Sequence, residues 1–157
     1  MTTTIEWLGH ASFRPNAHGK ITYTDPYEGD YTEETDLMLV SHSHSDHCDP
    51  SKIAEISKMD NVIIAPEGCG SKTNGVITTL KPQEDTTVDK ITIGAVEAYN
   101  HRRFRSPGVP LYLKGLGVGY LIKTGGKIAY HAGDTDFIPE MRRLGPVDVA
   151  LLPSGGA

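Results

Sequence analysis

The chain has 157 residues, a formal net charge of −5 and only two cysteines. This length fits one domain, residues 1–157, that is large enough for a two-layer core with helices outside it. The acidic balance argues against a broad nucleic-acid surface, and two cysteines are too few for a disulfide framework. No signal-peptide pattern or apolar run of roughly 20 residues is present, so we expect a cytoplasmic protein with no membrane partner and a small-molecule substrate.

The N-terminal third predicts the start of a β-sheet. Residues 5–13 read as a bent strand or strand pair interrupted at Gly9-His10, and residues 20–24 read as the next strand. Residues 36–40 form a short segment that is apolar after Asp36, which is typical of a buried strand. Asp49-Pro50 then predicts an N-cap followed by proline at the first position of a helix.

Between that strand and that helix lies the sequence Ser-His-Ser-His-Ser-Asp-His-Cys, residues 41–48. If the chain stayed extended past Val40, one face would present His42, His44 and Asp46, while His47 would be redirected by the turn. Imidazole nitrogens and carboxylate oxygens suit zinc, manganese or iron. The cluster therefore predicts a metal site, although a solvated histidine-rich loop is the alternative interpretation.

The rest of the chain predicts further strands and two short helices. Ile53, Ile56 and Met59 recur at helical spacing and should pack on the sheet. Strands are predicted at residues 61–65, 75–80, 85–88, 91–99 and 147–152. An irregular loop is predicted at 101–117, followed by a hairpin of strands 118–124 and 127–131 and by a helix at 138–144.

Several polar residues outside the cluster are candidates for supporting roles. His10 and His131 are expected to form hydrogen bonds rather than bind metal, and Asp25 is expected to orient ligands. Asp136 could orient a ligand or cap the following helix.

Three arginines follow His101 in the predicted loop. Arg102, Arg103 and Arg105 could hold an anionic substrate, since guanidinium groups bind phosphate and carboxylate through paired hydrogen bonds. A solvated loop is the equally weighted alternative.

The run His42, His44, Asp46 and His47 resembles the His-x-His-x-Asp-His signature of the metallo-β-lactamase superfamily. His101 and Asp134 are similar to the superfamily's third histidine and bridging carboxylate. Residues 7–13 and 24–27 resemble more narrowly the branch that contains ascorbate-6-phosphate lactonase. The resemblance implies an α/β (α+β) fold, specifically an αββα sandwich.

The resemblance also implies a ligand set and a reaction. The implied metal ligands are His42, His44, Asp46, His47, His101 and Asp134, holding two divalent metal ions, with zinc expected first and manganese or iron as alternatives. A metal-bound hydroxide would attack a small anionic ester, phosphodiester or lactone, and Asp46 would orient it as the catalytic residue. Substrate-binding residues are left unassigned.

Two other functions stay open at this point. One is a non-catalytic metal-binding or interaction protein, and the other is a di-iron redox enzyme, in which a glutamate usually stands where this chain has His44.

Members of the superfamily usually continue past the position of Pro153 to a final metal-binding histidine. We therefore expect a C-terminally shortened fold, a weaker second metal site and a tendency to form homo-oligomers.

Overall fold

The computed structural model describes residues 2–73 and 76–154. A first sheet holds six strands in the order β1 to β6. Strands β1, β2 and β3 pair antiparallel, whereas β3, β4, β5 and β6 run parallel. Their bounds are β1 (Thr4–Gly9), β2 (Ser12–Ala17), β3 (Lys20–Thr24), β4 (Leu37–Leu39), β5 (Val62–Ile64) and β6 (Ile77–Thr78). The strands predicted at 5–13, 20–24, 36–40 and 61–65 are confirmed. Of the strand predicted at 75–80, only Ile77–Thr78 forms a strand among the described residues, and residue 75 lies outside them.

A second sheet has five strands in the order β13-β12-β11-β8-β7. All its pairs are antiparallel except β12 with β13, which is parallel. A separate hairpin pairs β9 with β10. The bounds are β7 (Asp85–Val88), β8 (Ile91–Ala98), β9 (Phe104–Ser106), β10 (Val109–Pro110), β11 (Gly117–Thr124), β12 (Lys127–His131) and β13 (Val149–Leu151).

Three apolar clusters define four layers, which confirms the predicted αββα architecture. Leu39 and Ile64 of the first sheet pack with Ile93 and Tyr120 of the second in the core between the sheets. The outer face of the first sheet packs on a helix, α1 (Pro50–Ile56), and on a 3-10 helix, Glu67–Lys72. The outer face of the second sheet packs on the 3-10 helix Pro139–Arg143 and the residues after it.

Helix α1 begins as predicted, since the Asp49 side chain accepts hydrogen bonds from the backbone N–H groups of Ser51 and Lys52. Ile53 and Ile56 are buried, but the helix ends at Ile56 and Met59 is exposed. The predicted packing of Met59 is therefore wrong. A helix of only two turns leaves that residue beyond the face that meets the sheet.

Three other expectations need correction. The stretch 101–117 contains the β9-β10 hairpin and is not irregular throughout. The helix predicted at 138–144 is a 3-10 helix, whose Pro139 lies in its first turn. The strand predicted at 147–152 is shorter, Val149–Leu151, and its Val149 is 43% exposed because β13 lies at an edge of its sheet. In the described part of the chain, no helix has the length and apolar character that crossing a membrane requires.

Candidate metal centre

The histidine cluster forms a turn directly after β4. The backbone N–H groups of His47 and Cys48 both donate to the carbonyl oxygen of His44, so the chain does not stay extended through residue 46. The conditional expectation of one face with alternating ligands is therefore wrong. The turn instead buries His42 and His47, with 1% and 0% exposure, and leaves His44 exposed.

Asp134 lies beside both buried histidines. Its Oδ2 atom is 3.2 Å from His47 Nε2 and 3.9 Å from His42 Nε2. His47 Nε2 is also 3.7 Å from Asp46 Oδ2. A carboxylate within 4 Å of two imidazole nitrogens is compatible with the bridging role predicted for Asp134, which stays a prediction.

Two of the predicted ligands have less defined surroundings. The ring centroid of His44 lies 4.7 Å from that of His42, and both rings contact Tyr112. His101 begins an exposed loop, and its Nδ1 atom lies 3.8 Å from Asp136 Oδ2. Two sets of three described residues bring their potential ligand atoms within 4.8 Å of one another, and neither contains His44, His101 or Asp134. Metal binding by the six predicted ligands stays a prediction.

Asp25 is a buried carboxylate beneath the cluster, with no exposed surface. Its Oδ1 atom accepts a hydrogen bond from the Ser41 N–H at 2.6 Å. Its Oδ2 atom accepts a hydrogen bond from Ser41 Oγ at 2.6 Å and lies 2.7 Å from His47 Nδ1 and 3.0 Å from His131 Nε2. A carboxylate that holds Nδ1 of an imidazole leaves Nε2 available to bind a metal ion. The expected orienting role of Asp25, and the hydrogen-bonding role of His131, agree with this geometry.

The two buried histidines have opposite pKa shifts. Burial alone would lower the pKa of His47, but the neighbouring carboxylates Asp25 and Asp134 raise it to about 10. Burial, together with the charge on His47, lowers the pKa of His42 to about 3. A metal ion that binds His47 Nε2 at neutral pH must therefore displace a proton.

Asp25 and Asp134 stay ionised in this setting. Burial would raise the pKa of each carboxyl group, but the histidines that face them outweigh burial and lower both pKa values. The pKa of Asp25 falls well below its usual range. The centre therefore holds two carboxylates between buried imidazoles. Such a site attracts divalent cations.

The donor atoms at the centre fit a metal ion. His42 Nε2 and His47 Nε2 are buried and form no well-directed hydrogen bond, although Asp134 Oδ2 lies 3.2 Å from His47 Nε2. A buried polar atom without a partner is rare and requires an explanation. Both atoms lie within 4 Å of Asp134 Oδ2, so metal ions bound beside this carboxylate would satisfy them. Nitrogen and carboxylate oxygen donors accept several first-row divalent ions.

The sequence offered no signal for the contribution of Tyr112. Its ring lies edge-on to His42, with centroids 4.5 Å apart, and the residue is 4% exposed. Gly117 explains this position, because a Cβ atom there would overlap Tyr112 Oη and would lie 2.7 Å from the Ser41 carbonyl oxygen. Gly133 likewise allows close approach, since its Cβ atom would lie 2.9 Å from Ser41 Cβ.

Asp136 holds the loop that begins at His101. Its Oδ2 atom accepts from the backbone N–H groups of His101 and Arg102, at 2.8 and 2.7 Å. The N-cap of the following 3-10 helix is Ile138, so of the two roles considered for Asp136, the capping role is wrong. The side chains of Arg102 and Arg105 are exposed on this loop.

The sequence matches the family described as the β-lactamase superfamily domain over residues 4–157. It is 34% identical to a UPF0173 metal-dependent hydrolase of Pyrococcus abyssi, over 97% of this chain and 72% of that protein. A crystal structure from Parabacteroides distasonis, assigned to the metal-dependent hydrolases, superposes with a TM-score of 0.84 at 33% identity and covers 94% of this chain and 68% of that one.

A more distant solved structure is similar in fold alone. It is that of CmlA, a diiron β-hydroxylase from Streptomyces venezuelae, with a TM-score of 0.68 and 18% identity, over 94% of this chain and 34% of that one. From the site geometry and these matches together, the chain belongs to the metallo-β-lactamase superfamily, within its UPF0173 metal-dependent hydrolases.

Proposed function

We propose that the chain hydrolyses a small anionic ester, phosphodiester or lactone with the help of two divalent metal ions, of which zinc is the first expectation and manganese or iron the alternatives. The observation that supports this most is the pair of buried Nε2 atoms, on His42 and His47, that lack well-directed hydrogen bonds and lie within 4 Å of one shared carboxylate, Asp134. The relatives' name, metal-dependent hydrolase, points to the same reaction class.

When bound, divalent ions lower the pKa of water toward neutrality and polarise the oxygen of the bond to be broken. The residues of the chain then have separate tasks. Asp134 would neutralise positive charge at the metal centre, and Asp25 fixes the orientation of His47. Asp46, with 38% of its side chain exposed, would orient the attacking water.

The substrate is expected to carry negative charge because of the loop after His101. Asp136 accepts from the backbone N–H groups of His101 and Arg102 and so holds the start of this loop. Arg102 is exposed in the loop and Arg105 is exposed in β9. With His101 as the predicted metal ligand, arginines close to it in the sequence would favour phosphate or carboxylate over a neutral ligand.

A screen of turnover tests the proposed function directly. The purified chain, freed of metal with a chelator, is expected to be inactive and to regain hydrolysis of bis(4-nitrophenyl) phosphate or of a sugar-acid lactone when Zn²⁺ or Mn²⁺ is added. The control is a chain in which His42 and His47 are both changed to alanine. If the metal-loaded chain binds ions stoichiometrically but hydrolyses no phosphodiester, ester or lactone, the non-catalytic metal-binding alternative holds instead.

Charge reversal on the loop tests the substrate class. Arg102→Glu, Arg103→Glu and Arg105→Glu are made one at a time, and at least one is expected to raise KM for an anionic phosphodiester about tenfold, equivalent to about 1.4 kcal/mol of binding. KM for a neutral lactone should change little. Arg142→Glu, at an exposed position on the 3-10 helix Pro139–Arg143, is the matched control. Unchanged KM for the phosphodiester in all three variants would mean that the loop arginines are only solvated.

A further inference from the structure

His10 occupies an unusual backbone conformation in the turn between β1 and β2. Its φ angle is 49°, in the left-handed region that residues other than glycine seldom adopt. The indole N–H of Trp7 donates to the His10 carbonyl oxygen at 3.0 Å and helps to hold this turn. A non-glycine residue kept in such a conformation often marks a functional site.

This turn directs the imidazole of His10 toward the histidine cluster. His10 Nε2 lies 3.0 Å from Asp46 Oδ2, and the ring centroid lies 5.4 Å from that of His47 and 5.6 Å from that of Tyr27. The His10 side chain is 40% exposed and that of Asp46 38%. An ion from solvent can therefore reach the space between them.

The donor atoms of His10, Asp46 and His47 all lie within 4.8 Å of one another. In a tetrahedral site with ligand distances of about 2.1 Å, neighbouring donor atoms lie about 3.4 Å apart. The two separations from Asp46 Oδ2, 3.0 Å to His10 Nε2 and 3.7 Å to His47 Nε2, fall on either side of that value.

A second observation at the same place points to a ligand. His47 Nε2 is buried and forms no well-directed hydrogen bond, its contact with Asp134 Oδ2 at 3.2 Å being an ion pair, and the His47 side chain has no exposed surface. Its other nitrogen is occupied by Asp25, so the ring cannot turn to satisfy Nε2 elsewhere. A cation bound by all three residues would remove this unpaired buried atom.

We propose that His10 Nε2 is a protein ligand of a metal position that it shares with Asp46 and His47, next to the position of His42. This adds a ligand from the first hairpin to the set drawn from the metallo-β-lactamase signature, none of which precedes residue 42. It rests on the metal centre of the proposed function but not on any particular reaction.

Titration of the apo chain with Zn²⁺ against a chromophoric chelator tests the assignment. The unaltered chain is expected to bind two equivalents. In His10→Ala the weaker of the two should bind at least tenfold more weakly, with the tighter one unchanged. His10→Asn should give the same result, and asparagine accepts the left-handed conformation readily, so this variant separates ligation from a backbone effect.

His18→Ala is the matched control, because His18 also has a left-handed conformation, with φ 54°, in a hairpin turn before a glycine. It should keep both equivalents at their original affinities. The assignment is overturned if both His10 variants keep two equivalents at the original affinities, which would leave His10 as a hydrogen-bond partner of Asp46 alone. It is also overturned if the unaltered chain binds a single equivalent. Since the readout is metal affinity, a chain that binds both ions without hydrolysing any substrate contradicts the proposed function and not the role of His10.

Discussion

Replacement of Asp134 by alanine is expected to lower kcat/KM about 10³-fold, equivalent to about 4 kcal/mol of transition-state stabilisation, and to reduce bound metal to one equivalent or less. The reason is the position of its Oδ2 atom, 3.2 Å from His47 Nε2 and 3.9 Å from His42 Nε2. Without this carboxylate, two cations would face each other with no negative charge between them. Metal content by elemental analysis and turnover on the best substrate of the screen are the two measurements.

The fold should survive this change. Asp134 is partly exposed and lies in a loop after β12, so its removal opens no cavity in the core. Circular dichroism of the apo form is expected to match that of the unaltered chain, while its unfolding midpoint should fall modestly because His47 loses one of the two carboxylates that raise its pKa. Asp60→Ala, at an exposed turn, is the control for loss of a carboxylate elsewhere. A variant that keeps normal metal content and normal turnover would exclude the bridging role.

The sequence predicted the strand-to-helix turn well because its signals are local. The apolar strand before Ser41 and the Asp49-Pro50 start of α1 depend on neighbouring residues only, and both are present. The prediction that His42, His44 and Asp46 project from one face was wrong because the two-residue period of a strand does not apply within a turn. The carbonyl oxygen of His44 accepts two backbone hydrogen bonds and closes a turn within the cluster.

Contacts between distant segments could be predicted only in part. Asp25 was recognised as an orienting residue, but its fourfold contact with Ser41, His47 and His131 depends on how β3, β4 and β12 meet. No sequence signal pointed to Tyr112, because its place beside His42 requires the absence of a side chain at Gly117.

The proposed role of His10 as a metal ligand also could not be predicted from the sequence. Its neighbours in the sequence gave no reason to prefer ligation over hydrogen bonding, since 36 residues separate it from Asp46. The left-handed turn at Gly9-His10 brings the two side chains together, and such a conformation is not encoded by a periodic pattern. The choice between these roles therefore became testable only with the fold in hand.

Asp25→Asn is expected to destabilise the apo chain by about 3–5 kcal/mol, since it removes one partner from a buried charged network. An amide presents an N–H group to at least one of the donors that now face the carboxylate, namely Ser41, His47 and His131. His47 would also lose the group that fixes its Nδ1 atom, so metal affinity should fall a further 10–100-fold. Urea unfolding at pH 6 measures the first effect, and chelator competition with Zn²⁺ measures the second.

The pH is chosen from the signs of the two pKa shifts. The pKa of Asp25 is lowered, so its contribution to stability is complete above the unfolded value of about 3.9 and is lost as pH falls through the folded value. The pKa of His47 is raised to about 10, so its contribution is complete below the unfolded value of about 6.5 and is lost as pH rises toward 10. At pH 6 both contributions are present.

Asp148→Asn is the matched control. The Asp148 carboxylate also accepts hydrogen bonds from a backbone N–H, that of Ile128 at 2.8 Å, and from a side chain, that of Lys127, but it lies at the surface. If Asp25→Asn unfolds no more readily than Asp148→Asn and binds Zn²⁺ as tightly as the unaltered chain, Asp25 neither supports the fold nor orients His47.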